Sequence, residues 1–162
     1  MDSFLVTLDG THGSLKSIRY LNRILKGAKH IRLVLFHVIP TTSPNLLKKE
    51  EVQRIEKIHA EQAHLRGYFW TREDEDRMNL AFQEARQLLL EGGFSNAQVT
   101  TRFSVQSAEV AQVILEEGKR LECSTIVIGR RGLSRVKELF LGSVSKTVTK
   151  LARSMTVWVV DD

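Results

Sequence analysis

The sequence predicts an α/β protein, a doubly wound parallel sheet with helices on both faces, and three observations carry that prediction. Near-continuous apolar runs at Phe4 to Leu8, Ile31 to Ile39 and Thr125 to Ile128 have the pattern of strands buried on both faces. Between them lie segments whose apolar residues recur every three or four positions, the mark of one-faced helices. Strands alternating with helices imply parallel pairing through right-handed crossovers. Five strands result, the other two being Ala97 to Phe103 and Thr156 to Val160. At 162 residues there is room for one core and too little chain for two ordinary domains, so a single domain over 1–162 is expected.

The first strand closes at Asp9-Gly10-Thr11, a turn that leaves a carboxylate on the carboxyl edge of the sheet, where open α/β folds bind ligands. Asp9 serves equally well as a turn residue or a helix cap. His12 has no evident partner and reads as a loop residue. Leu15, Ile18, Leu21 and Leu25 give Ser14 to Lys26 one apolar face, and Pro40 stops the second strand, with His37 read as a strand-end core residue. Residues 41–72 are the least ordinary part. Leu46 to Arg66 reads as a charged helix with Val52, Ile55, Ile58 and Leu65 toward one side, followed by Gly67-Tyr68-Phe69-Trp70, aromatics that either cap the core or form a lid or oligomer contact. His59 and His64 fall about 140° apart around such a helix and do not share a metal-binding face. Met78, Ala81, Phe82, Ala85 and Leu89 then make a regular amphipathic helix ended by Gly92-Gly93. Ala97 to Phe103 alternates like a half-buried strand, and Ser107 opens a helix carrying Val110, Ala111, Ile114, Leu115 and Leu121. The single cysteine, Cys123, has no internal disulfide partner and reads as a bystander before the fourth strand.

That fourth strand runs into Gly129-Arg130-Arg131-Gly132, nine residues from Leu133 to Leu141, then Gly142-Ser143 and a helix with Val144, Val148, Leu151 and Ala152 on its apolar face and Ser143 at its N-cap. Such an arrangement suits phosphate, because glycines let the backbone approach an anion while the free N–H groups and positive end of a helix face it. On the bland reading the glycines only make turns. Gly129 to Arg153 holds seven Lys or Arg against one acid, a local charge of +6 that leaves −1 for the rest of a chain whose net charge is +5. The pI of 9.6 is therefore local in origin. Phe140 is the single aromatic inside the basic cluster, too few for a single-strand stacking platform, so nucleic acid is the weaker reading. No apolar run reaches the roughly 18 residues of a membrane span, and Asp2 to Asp9 lacks a signal peptide's basic region and cleavage site, so a cytoplasmic location is expected.

The spacing Gly129-x2-Gly132-x9-Gly142-Ser143 resembles the nucleotide-binding signature of the universal stress protein family. The resemblance covers the chain apart from residues 41–72 and implies a Rossmann-like, adenine nucleotide alpha hydrolase-like sandwich with strand order 3-2-1-4-5. It implies ATP as ligand, with Asp9 and Val38 at the adenosine, and Gly129, Gly132, Gly142, Ser143 and Val144 around the phosphates. Arg130 and Arg131 would add charge, and Mg or Mn would be carried on the phosphates. It also implies a homodimer joined through the last strand, and a part in stress response or signalling rather than dedicated catalysis. Two stretches depart from the family pattern: Val105-Gln106-Ser107 stands where Gly-x-Pro is common, and Thr156 where Pro is usual. The chain lacks a Walker Lys-Ser/Thr pair, paired acids with a metal role and any Ser-His-Asp or Cys-His arrangement, so binding follows from the motif and catalysis does not. Alternatives are slow ATP hydrolysis or phosphotransfer, a ligand-free dimeric interaction module, and nucleic-acid binding through the +6 segment.

Overall fold

Burial on both faces turns the apolar runs into the middle of one sheet. The computed structural model describes residues 1–10, 13–40, 72–106, 109–130 and 141–161. The helix expected at Leu46 to Arg66, the Tyr68-Phe69-Trp70 cluster, His12, His59, His64, Ser107, Arg131 and Gly132 lie outside the described residues.

In chain order the elements are β1 (Asp2–Thr7), α1 (Ser14–Ile24), β2 (Ile31–Pro40), α2 (Arg72–Glu91), β3 (Val99–Gln106), α3 (Val110–Arg120), β4 (Thr125–Gly129), α4 (Ser143–Leu151) and β5 (Thr156–Val160). The five strands form one sheet in the order β3-β2-β1-β4-β5, with every pairing parallel. Phe4 of β1 lies opposite Leu33 of β2 on one side and Thr125 of β4 on the other. The chain thus reverses its direction of travel across the sheet between β1 and β4.

Alternation along each strand sends side chains to two separate cores. Phe4 and Val6, Leu33 and Leu35, and Val127 join Leu15, Ile18 and Leu21 of α1 and Met78, Phe82, Ala85 and Leu89 of α2. Leu5, Val34, Phe36, Ile126 and Ile128 join Ala111, Ile114 and Leu115 of α3 and Val148 of α4. A strand with helices on both sides has no polar face, which is why these runs lack the alternation of a half-exposed sheet. The edge strand β5 is only half-buried; its Trp158 packs edge-on to Phe4 at 5.3 Å and to Tyr20 at 6.3 Å. At the end of α2, a Cβ on Gly92 would collide with the amide of Asn22, whose nitrogen donates to the Leu88 carbonyl at 2.6 Å.

Three local expectations shift. The third strand begins at Val99, because Ala97 sits in a 3-10 turn, Asn96–Gln98, closed by a reciprocal Ser95–Gln98 capping box. The helix expected from Ser107 has Glu109 as its N-cap and Val110 as its first residue. Leu151, assigned to the apolar face of α4, is 42% exposed, and Ser145 takes the inward place beside Val148. The inner face of α4 lies against backbone at its start, and a buried hydroxyl satisfies that backbone where an alkyl group would not.

Candidate functional site

Three neighbouring strands, β2, β1 and β4, end at the carboxyl edge at the topological switch point. The end of β1 is fastened to both neighbours. The Thr7 hydroxyl donates to the Val127 carbonyl at 3.3 Å, and the Leu8 N–H donates to the Phe36 carbonyl at 2.8 Å. His37 Nδ1 donates to the Leu8 carbonyl at 2.6 Å, so this nitrogen carries a proton, because a carbonyl only accepts. The imidazole meets Phe82 of α2 edge-on at 6.5 Å, in keeping with a strand-end core histidine. Gly10, at φ 77°, then turns the chain in a conformation L side chains rarely adopt, and the stem of Arg77 lies over it, 3.8 Å from where a Cβ would stand. Half-buried Asp9 is held between these two anchors.

The end of β4 is built from backbone. Arg130 donates its N–H to the Val160 carbonyl at 2.8 Å, and its own carbonyl accepts from the Gly142 N–H at 2.9 Å. The Ser145 hydroxyl, buried, shares its proton between the carbonyls of Arg130 and Gly142, both at 3.0 Å. Both ends of the glycine loop are therefore drawn to one peptide, and α4 starts beside the last residue of β4. The N-cap is Gly142, extended at φ −62° and ψ 157°, with no side-chain cap; Ser143, expected there, is the first helical residue. The first helical bond runs from the Lys146 N–H to the Gly142 carbonyl at 2.9 Å, so the N–H groups of residues 143–145 have no helical acceptor. The positive end of the helix dipole stands at the same place. Val38 and Val144 border the same apolar cluster on the α3 and α4 face.

The fold thus brings Asp9, Val38, Gly129, Arg130, Gly142, Ser143 and Val144 to one sheet edge, while Arg131 and Gly132 lie outside the described residues. The Arg130 guanidinium is ion-paired with Asp161, just beyond β5. Sequence reading missed Ser145, Asp161 and Arg77. Only Ser145 carries a local signal, a second hydroxyl residue at the third helical position after a glycine cap; the other two reach the site through tertiary approach.

Away from this edge, α3 ends near the start of β2, where Arg32 donates to the Leu121 carbonyl at 3.0 Å. Nearby, Glu117 pairs with Arg102 at 2.7 Å and Arg120 at 2.6 Å. Partial burial pushes the Glu117 carboxyl up, but its hydrogen bond to Arg120 and the charges of Arg120 and Arg102 outweigh this and hold it below its ordinary value. Burial pushes the Cys123 thiol up, which keeps it protonated and unreactive. Among the described residues no three His, Cys, Asp or Glu gather closely enough to hold a metal, and no helix is long and apolar enough to cross a membrane.

Several solved structures share this architecture at low identity. A universal stress protein solved in complex with cAMP is similar at a TM-score of 0.62 and 18% identity, over 99% of this chain and 96% of that one. The Archaeoglobus fulgidus universal stress protein in complex with dAMP aligns at 0.65 and 14% identity, over 98% and 97%. An Arabidopsis thaliana family protein with AMP bound aligns at 0.60 and 14%, over 99% and 92%. No curated protein matches the sequence. The model of the universal stress protein family matches residues 1–161, the whole sheet with its helices and glycine loop, and the chain belongs to that family.

Proposed function

We propose that this chain binds an adenine nucleotide, ATP, in the crevice between the ends of β1 and β4, and that it acts in stress response or signalling rather than as a dedicated catalyst. The observation that carries the reading is the Arg130 carbonyl, which gathers the Gly142 N–H and the Ser145 hydroxyl and so sets the side-chain-uncapped start of α4 beside the end of β4. Nucleotide complexes of three proteins with this architecture support it, containing cAMP, dAMP and AMP.

The residues present fit the ligand's two ends. A carboxylate only accepts hydrogen bonds, and Asp9 suits the hydroxyl and amino donors of adenosine; Val38 supplies an apolar wall for the base. At the phosphates, Gly129, Gly142, Ser143 and Val144 would offer backbone N–H groups and close approach and Arg130 charge, and the motif alone assigns Arg131 and Gly132 to the same end. A Mg or Mn ion bound with ATP would be held through the phosphates and would neutralise part of their charge. The half-buried apolar edge of β5 suits pairing with a second copy in the cytoplasm.

Mass spectrometry of ligand released from the purified protein tests the central claim, with ATP expected. A preparation that carries no nucleotide and shows no calorimetric response to ATP overturns it and leaves an interaction module. Light scattering is expected to find a dimer that Val159→Lys loosens.

A further inference from the structure

We propose that Asp161 is a resident counter-ion of the phosphate loop and sets how steeply affinity rises with the number of phosphates on the ligand. The inference rests on the nucleotide reading above and adds to it a residue outside the glycine motif.

Arg130 belongs to the motif, but its guanidinium is paired with the Asp161 carboxylate. A backbone bond prearranges that pair: the Arg130 N–H donates to the carbonyl of Val160, the residue immediately before Asp161. The Arg130 peptide is fixed on its other side as well, since its carbonyl accepts from Gly142 and Ser145. Only the side chain keeps a choice of partner. Its exposure is 28% and that of Asp161 46%, so solvent screens the pair and an incoming anion can compete with it.

A phosphate chain at the start of α4 offers the guanidinium a second anion that competes with Asp161 for its N–H donors, so each donor that moves from Asp161 to phosphate is an exchange. The exchange opposes phosphate binding and leaves adenosine untouched, because the adenosine end is assigned to Asp9 and Val38 on the neighbouring strands. Asp161 therefore flattens the affinity series from adenosine to ATP. For a screened surface pair the effect is about two- to fivefold.

Calorimetry with adenosine, AMP, ADP and ATP at fixed ionic strength tests this on the parent, Asp161→Asn, Arg130→Ala and the double variant. Asp161→Asn is expected to leave adenosine unchanged and to tighten ATP about two- to fivefold, a gain that disappears when Arg130 is absent. An unchanged series, a shift that includes adenosine equally, or a gain of the same size without Arg130 overturns the proposal. A parent that binds none of the four ligands overturns the nucleotide reading and this one with it. A parent that binds them with a series indifferent to Asp161 overturns only the role of Asp161.

Discussion

The ends of β1 and β4 lie side by side yet are built from different materials. At β1 the chain turns at once through Gly10, and two side-chain bonds, Thr7 to Val127 and His37 to Leu8, add to the backbone bond from Leu8 to Phe36. What this end displays is a carboxylate. At β4 the chain leaves for a long glycine loop and returns to the peptide it left, tied by the Arg130 carbonyl. What this end displays is backbone N–H and positive charge. On the proposed reading, a nucleotide that spans these two strand ends would lie with its donors toward Asp9 and its anion toward α4.

Substitutions at the two ends should therefore separate ATP from adenosine. The largest effect is expected from Gly142→Val, which should weaken ATP by about 3 kcal/mol or more, the worth of two charge-assisted hydrogen bonds, and leave adenosine nearly unchanged. Because Gly142 has φ −62°, open to any residue, the obstacle is the volume of the side chain beside the phosphates rather than backbone strain. Equal ATP affinity in this variant would reduce the glycines to turns. Asp9→Ala should weaken ATP and adenosine alike, by about 1.5–3 kcal/mol, and calorimetry with both ligands reads the contrast. Ser145→Ala removes a buried donor to two carbonyls and should lower stability by about 1–2 kcal/mol in urea unfolding while weakening ATP more than adenosine. Arg131→Ala should cost ATP about 1 kcal/mol, as expected for a solvated charge partner.

The smallest effect, at Glu117, belongs to neither end and serves as the control. Its carboxyl lies below the ordinary 4.5 when folded, so its pairs stabilise fully above that value and lose their contribution as pH falls through the folded pKa. Glu117→Gln should cost about 0.5–1 kcal/mol at pH 7, with the gap to the parent closing in acid, and nucleotide affinity should not move. A changed affinity would mean that α3 communicates with the crevice.

The sheet was legible because its signals are repeated and local. Leu5, Val34, Phe36, Ile126 and Val127 are each at most 2% exposed, and runs of such residues leave few readings other than a strand covered on both faces. The strand order was legible only through the family resemblance, since apolar periodicity says nothing of which strand neighbours which. At the start of α4 the expected cap, Ser143, is off by one residue, because Gly and Ser both favour an N-cap and only the backbone angles at Gly142 decide between them. The partner of Arg130 was out of reach: Asp161 lies 31 residues away in sequence, brought close by the β4–β5 pairing. Leu151 looked like core by its spacing from Val148, but it is the last residue of a nine-residue helix and is 42% exposed.

The Thr7 to Val127 bond joins residues 120 apart, and it ties the end of β1 to β4. On a growing or refolding chain, β1 is expected to pair first with β2, the strand nearer in sequence, and its other flank to wait for β4. The proposed ligand site would depend on that second pairing and is therefore expected to assemble late, after most of the hydrophobic interior facing α1 and α2 has had the opportunity to form. Pulse-labelled hydrogen exchange during refolding should accordingly find the β1–β2 amides protected before those of β4, and nucleotide should speed no step that precedes β4 docking.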